Sequence, residues 1–175
     1  MKKILILIVA ILMIVVLPER IWAQSSASAT STVNIDLVQM ITLSKSVDMN
    51  FGRMGSTEVD GSCVLTTTNV RSLTNISAVS GGATPTSAVF VVTGSPNSTY
   101  VITLPSSSIL KGKTTGKTIT VKDFLARPSS MTTDGLVGTI TGSNSSFTVG
   151  ATLSIVSSQA IDTYSGDFVV SVAYN

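Results

Sequence analysis

Residues 88–104 carry two apolar, β-branched runs, Ala88-Val89-Phe90-Val91-Val92 and Tyr100-Val101-Ile102-Thr103-Leu104, with Thr93-Gly94-Ser95-Pro96-Asn97-Ser98 between them. Val, Ile and Thr are stiff at χ1 and fit a pleated surface better than a helix. Gly, Pro, Asn and Ser are the residues that reverse a chain. The stretch therefore predicts two strands joined by a turn.

The same chemistry extends in both directions. Val33-Asn34-Ile35-Asp36-Leu37 and Val47-Asp48-Met49-Asn50-Phe51 alternate apolar with polar residues, the period of a half-buried strand. Runs at 118–121, 136–140, 146–149 and 151–156 follow, and the closing run 164–174 places Phe168, Val170, Val172 and Tyr174 on one face. Residues 121–126 are the one candidate helix after the N-terminus; with Pro128 close behind and strand chemistry just before, they read as a bend or short turn. Residues 81–85, Gly-Gly-Ala-Thr-Pro, read as a loop. Many short strands separated by turns predict an all-β fold, a single immunoglobulin-like or Greek-key β-sandwich.

The N-terminus is of another kind. Lys2 and Lys3 precede an apolar run at 4–17, ended by Pro18. That run is short for a membrane span, which needs about 20 residues, and suits the apolar region of a secretory signal. Ile21-Trp22-Ala23 places cleavage after Ala23; Glu19, Arg20 and Trp22 keep an uncleaved anchor open as the alternative. The expected organisation is a signal peptide at 1–23, a flexible Ser/Ala/Thr leader at 24–32 and the sandwich at 33–175. The expected destination is the periplasm, cell surface or exterior, with no membrane association after cleavage.

Residues 1–23 hold Lys2, Lys3 and Arg20 of the 11 basic residues and Glu19 of the 9 acidic ones, so the remainder is balanced. A nucleic-acid surface needs clustered cations. Lys111, Lys113, Lys117 and Lys122 are spread through a Gly/Thr-rich stretch and read as solubilising charges on a hairpin, so nucleic acid is not an expected partner. Cys63 is the only cysteine and has no partner within the chain. It reads as a small core hydrophobe beside Val64 and Leu65, with an intermolecular disulfide as the alternative.

Catalytic patterns are missing. The chain has no His, which removes Ser-His-Asp and Cys-His arrangements and the commonest zinc ligand. Glu58 and Asp60 flank Gly61 as hairpin residues do, and neither a glycosidase pair nor a calcium loop is expected of them. No Ser lies in a Gly-x-Ser-x-Gly elbow. Three Asn-x-Ser/Thr sequons, at Asn75, Asn97 and Asn144, are expected by chance in so Ser/Thr-rich a chain. The expectation is a non-enzyme without catalytic residues, cofactor or metal.

Three stretches together resemble a known family. They are Ser46-Val47-Asp48-Met49-Asn50-Phe51-Gly52; the pair Phe90-Val91-Val92-Thr93-Gly94 and Tyr100-Val101-Ile102-Thr103-Leu104-Pro105; and Val149-Gly150-Ala151-Thr152-Leu153 followed by Thr163-Tyr164-Ser165-Gly166-Asp167-Phe168 through Tyr174-Asn175. Their order and spacing resemble the secreted bacterial family known as domain of unknown function 4402. More distantly the chain resembles spore-coat-U-type and archaic chaperone–usher pilin domains, although Met40-Ile41 stands where such pilins carry a first Cys and Asp162 replaces the Gly of their Gly-Thr-Tyr ending.

The resemblance implies an exported structural or adhesive surface subunit, with self or like subunits as partners by β-strand addition. Val33, Ile35 and Leu37 would serve as the exchanged strand, or equally as the domain's own first strand; Phe168, Val170, Val172 and Tyr174 would form the other assembly residues. The alternative is a free-standing extracytoplasmic binding module for a glycan or a protein.

Overall fold

A computed structural model describes residues 26–56 and 58–175. The expected signal peptide lies outside the described residues. The chain divides into two units, 1–36 and 37–175. In the first, residues 26–36 form neither helix nor strand and every one is exposed.

The second unit carries eleven strands and, among the described residues, no helix. They are β1 Thr42–Val47, β2 Gly61–Leu65, β3 Arg71–Thr74, β4 Ala88–Thr93, β5 Thr99–Thr103, β6 Ser107–Gly112, β7 Thr118–Pro128, β8 Val137–Thr139, β9 Asn144–Ile155, β10 Tyr164–Ser165 and β11 Ser171–Tyr174. All pairings between strands are antiparallel. Eight strands form one sheet along the path β1-β4-β9-β7-β6-β10, with β2 also on β9 and β3 on β2; β11-β5-β8 form the second. The all-β expectation holds.

The turn at 93–98 does not make a hairpin. It carries the chain from β4 in the large sheet to β5 in the small one, so the two runs of residues 88–104 face each other across the core. Asn97 takes φ 61° in this turn, a left-handed conformation that Asn tolerates better than most residues.

Strand β9 organises the rest. Its inward residues Phe147, Val149, Ala151, Leu153 and Ile155 are all buried and lie at period two. The first half pairs with β4 and the second with β2, so those two strands lie end to end along one side of β9. Gly150 marks the junction: a Cβ there would meet the backbone of Leu65, Thr66 and Thr67. The sequence suggests two strands, 146–149 and 151–156, whereas the structure has one, because glycine passes the junction without ending the ladder.

On the other side of β9, strand β7 holds a bulge. Its register shifts between Lys122 and Leu125, where Asp123 adopts φ 53°. The extra residue changes which parity faces inward. Ile119 and Val121 are buried before it, and Ala126 and Pro128 after it. The bend expected at 121–126 is therefore a bulge inside a strand of 11 residues, nearly three times as long as the expected 118–121.

The residues divide into two cores. One joins both sheets: Phe90, Val92, Phe147 and Val149 face Tyr100 and Ile102, with Phe168, Val170, Val172 and Tyr174 packed against them. Phe90 stacks on Phe147 at 5.3 Å between centroids. The second lies under the lower half of the large sheet, where Cys63, Ile119, Val121, Ala151, Leu153 and Ile155 cluster. The small sheet does not contribute to it.

The expected strand at Val33 to Leu37 does not form as part of the domain. The three apolar residues are 90%, 80% and 84% exposed, and the first strand is β1, beginning at Thr42. In the second alternating segment, the ladder ends at Val47 and continues only as an isolated bridge from Asn50 to Thr86.

Candidate functional site

Buried residues of the second core, together with Phe90 of the first, form the floor of a groove. Phe90 from β4, Leu110 from β6, Ile119 and Val121 from β7, and Leu153 and Ile155 from β9 line a cavity of about 1440 Å³. Residues 48–56, which continue from β1, form one wall, and residues 159–170 form the other. The volume exceeds the roughly 300–1,000 Å³ of a drug-sized ligand site. An open trough with apolar floor and backbone walls suits an extended chain better than a compact molecule.

Each wall is anchored on its outer side. Asn50 exchanges two backbone hydrogen bonds with Thr86, at 2.8 and 2.9 Å, and Gly55 N–H donates to Ser77 O at 3.0 Å. Arg71 Nη1 donates to Phe51 O at 2.9 Å. These contacts leave Met49, Phe51 and Met54 packed against the second core. The bottom of the trough is bridged where Ser56 Oγ donates to Gln159 O at 2.8 Å.

The opposite wall depends on Asp162. Its Oδ2 accepts from the backbone N–H of Thr115 at 2.6 Å, from Thr115 Oγ1 at 2.7 Å and from Thr114 N–H at 2.9 Å. The N–H and hydroxyl of Thr115, ahead of the amides of Thr114 and Thr163, hold this carboxyl down at about 2. Asp162 is thus a clamp that ties the wall to the β6–β7 turn. Further along, Tyr164 Oη donates to Ala160 O at 2.6 Å, and Ser108 Oγ donates to Asp167 O at 2.6 Å.

The final run switches sheets within this wall. Tyr164 and Ser165 pair with β6, residues 171–174 pair with β5, and residues 166–170 belong to no strand. Gly166 permits the crossing, since a Cβ there would meet Ile109 O. Phe168 and Val170 line the groove, whereas Val172 and Tyr174 pack against the upper core. Of the expected assembly residues, the structure therefore brings Phe168 and Val170 to the groove and leaves Val33, Ile35 and Leu37 exposed. The floor residues from β6, β7 and β9 were not legible as a site, because a floor and a closed core share the same alternation.

A second arrangement went unseen in the sequence. Tyr174 Oη donates to Gln39 O at 2.6 Å and accepts from Ser95 N–H at 2.7 Å, while Gln39 N–H donates to Ser95 Oγ at 2.7 Å. Both backbone groups of Gln39 are thereby held by the β4–β5 turn and the last strand.

The groove's floor offers no nucleophile, acid or base. Among the described residues, no three His, Cys, Asp or Glu side chains are grouped to hold a metal ion. Likewise among them, no helix is long and apolar enough to cross a membrane. Cys63 is buried and its thiol is raised to about 11, first by burial and against the lowering effect of Arg71.

Comparison with known proteins gives one result. The family described as a domain of unknown function (DUF4402) matches residues 41–174, so the chain belongs to that family. Neither the curated proteins nor the solved structures contain a match.

Proposed function

We propose that this DUF4402 member is an exported, non-enzymatic structural or adhesive subunit that assembles by strand addition. The segment Val33 to Leu37 of one copy enters the groove of another. The observation that carries this reading is an exposed alternating segment in a chain that also holds an apolar-lined groove. Val33, Ile35 and Leu37 are 90%, 80% and 84% exposed, and the trough has an apolar floor flanked by two backbone walls. In an extended segment these three side chains share one face about 7 Å apart, which matches a floor of alternating strand residues.

The energetics favour an incoming strand over a simple apolar contact. Burying three aliphatic side chains contributes about 5–9 kcal/mol, and ordering five backbone residues costs about 5–10 kcal/mol. Main-chain hydrogen bonds to the walls decide the balance, as in other cases of strand addition. Among the described residues strand β1 pairs only with β4, which leaves its outer edge without a ladder partner there. The similarity of the "Asn-Phe-Gly" element and the closing run to pilin-type domains supports the same reading, and the signal-like residues 1–23 support export.

The test is size-exclusion chromatography with light scattering on the chain beginning at Gln24. Concentration-dependent oligomers are expected, and the triple substitution Val33→Asp, Ile35→Asp, Leu37→Asp should return the protein to monomer. A Gln24 chain that remains monomeric at the highest attainable concentration overturns the proposal.

A further inference from the structure

We infer that the Gln39–Ser95–Tyr174 hydrogen-bond ring is a pin that keeps each copy's own segment out of its own groove, so that the segment is left for a second copy. This inference rests on the strand-addition reading above and concerns its regulation.

Strand addition between copies faces a competitor. A segment joined to its own domain by a short flexible link has an effective concentration in the millimolar range. A segment on another copy, at about 10 µM protein, is outcompeted by roughly a hundredfold unless geometry forbids self-insertion. Something must therefore prevent self-insertion if chains are to join.

The ring does so through reach. Thr42 pairs with Thr93 and Lys45 with Phe90, and Lys45 and Phe90 are the groove residues of β1 and β4 nearest this end. Gln39 is fastened to Ser95, five residues beyond Phe90, or about 17 Å along the strand direction. An extended chain spans at most about 3.5 Å per residue. From a pinned Gln39, Leu37 reaches about 7 Å and Ile35 about 14 Å, and only Val33, at about 21 Å, reaches the near end of the groove. With the ring open, the fixed root moves to Thr42, about 10 Å from the level of Phe90. Leu37, five residues from Thr42, then reaches about 17 Å, and both Leu37 and Ile35 can enter.

The ring is specific to this task. It fastens both the N–H and the C=O of one residue that lies outside every strand, using a hydroxyl from each of two separate elements. Tyr174 is already anchored by its place in β11 and its packing on the upper core, so its hydroxyl is spare for the pin.

Disulfide trapping tests the inference. In a Cys63→Ala background, Asp36→Cys reports on the segment and Val169→Cys on the groove wall, where Val169 is exposed. Under oxidation the pinned chain should give products joined between copies. Tyr174→Phe should shift products to intrachain disulfides, lowering the ratio of inter- to intrachain products at least about tenfold. Ser95→Ala opens the ring from the other side while keeping Tyr174 intact, and should shift the ratio in the same direction. A ratio unchanged by both substitutions, or intrachain closure of the pinned chain, overturns the pin while leaving strand addition standing. No cross-link of either kind in all three chains removes strand addition itself, and the pin's role with it.

Discussion

Cys63 and Asp162 illustrate how opposite environments act on single side chains. Cys63 has no exposed surface and packs with Leu153 and Val121. Burial raises its thiol from 9.0 to about 11, so the folded state holds this proton more tightly than the unfolded state. Its contribution to stability is complete below pH 9 and is lost as pH rises toward 11. A thiol-specific reagent at pH 8 should leave native Cys63 unmodified and react fully once urea unfolds the chain; rapid native labelling would contradict this. Asp162 behaves in the reverse sense. Its carboxyl falls from 3.8 to about 2 because Thr115 and its neighbours donate to it, so its contribution is present above pH 4 and is lost as pH falls toward 2. Protection of the Thr114 and Thr115 amides, taken relative to their intrinsic exchange rates, should fall across that interval, and Asp162→Asn should lower it already at pH 6. The burial of Cys63 was legible in the sequence from its apolar neighbours Val64 and Leu65. The Asp162 clamp was not, because its donors lie 47 and 48 residues away, a separation that no local pattern encodes.

Elements were legible wherever alternation was unbroken. Strands β4 and β5 follow their period-two patterns, whereas β7 and β9 differ from expectation at one residue each, and the closing run is interrupted at residues 166–170. In β7 the bulge at Asp123 reverses the inward parity, so one strand resembles a short strand followed by a bend. In β9 the break is Gly150, whose missing side chain lets the chain leaving β2 pass. Gly150→Ala should destabilise the domain by about 1–3 kcal/mol, the range for overfilling a packed site, read as a lower urea midpoint. An unchanged midpoint would mean that the Leu65–Thr67 backbone yields without cost. Strand β1 was missed because its Thr-Leu-Ser-Lys-Ser-Val sequence is largely polar. An edge strand needs few apolar residues, since a single partner and one half-buried face hold it.

In the domain of residues 37–175, the second sheet packs on one half of the large sheet, and apolar residues of the other half line the trough. The all-β class was legible from the density of turns and β-branched runs, but this unequal covering was not, because inward residues of an open and a closed half alternate alike. If the trough accepts residues 33–37, a peptide spanning 31–40 should stabilise a chain that begins at Met40. At a hundredfold excess over its dissociation constant the gain is about 2.7 kcal/mol, measurable as a rise in Tm; a peptide with Asp at positions 33, 35 and 37 should give none. Strand β9 also sets a schedule. It joins β2, β4 and β7 into one sheet, yet it is completed only at Ile155, late in a chain of 175 residues. A chain emerging from its N-terminus first can form the β2–β3 and β6–β7 hairpins and the β1–β4 pair, but small pairs of strands are marginal in water. The ladders to β2, β4 and β7 therefore close only once this central strand has arrived.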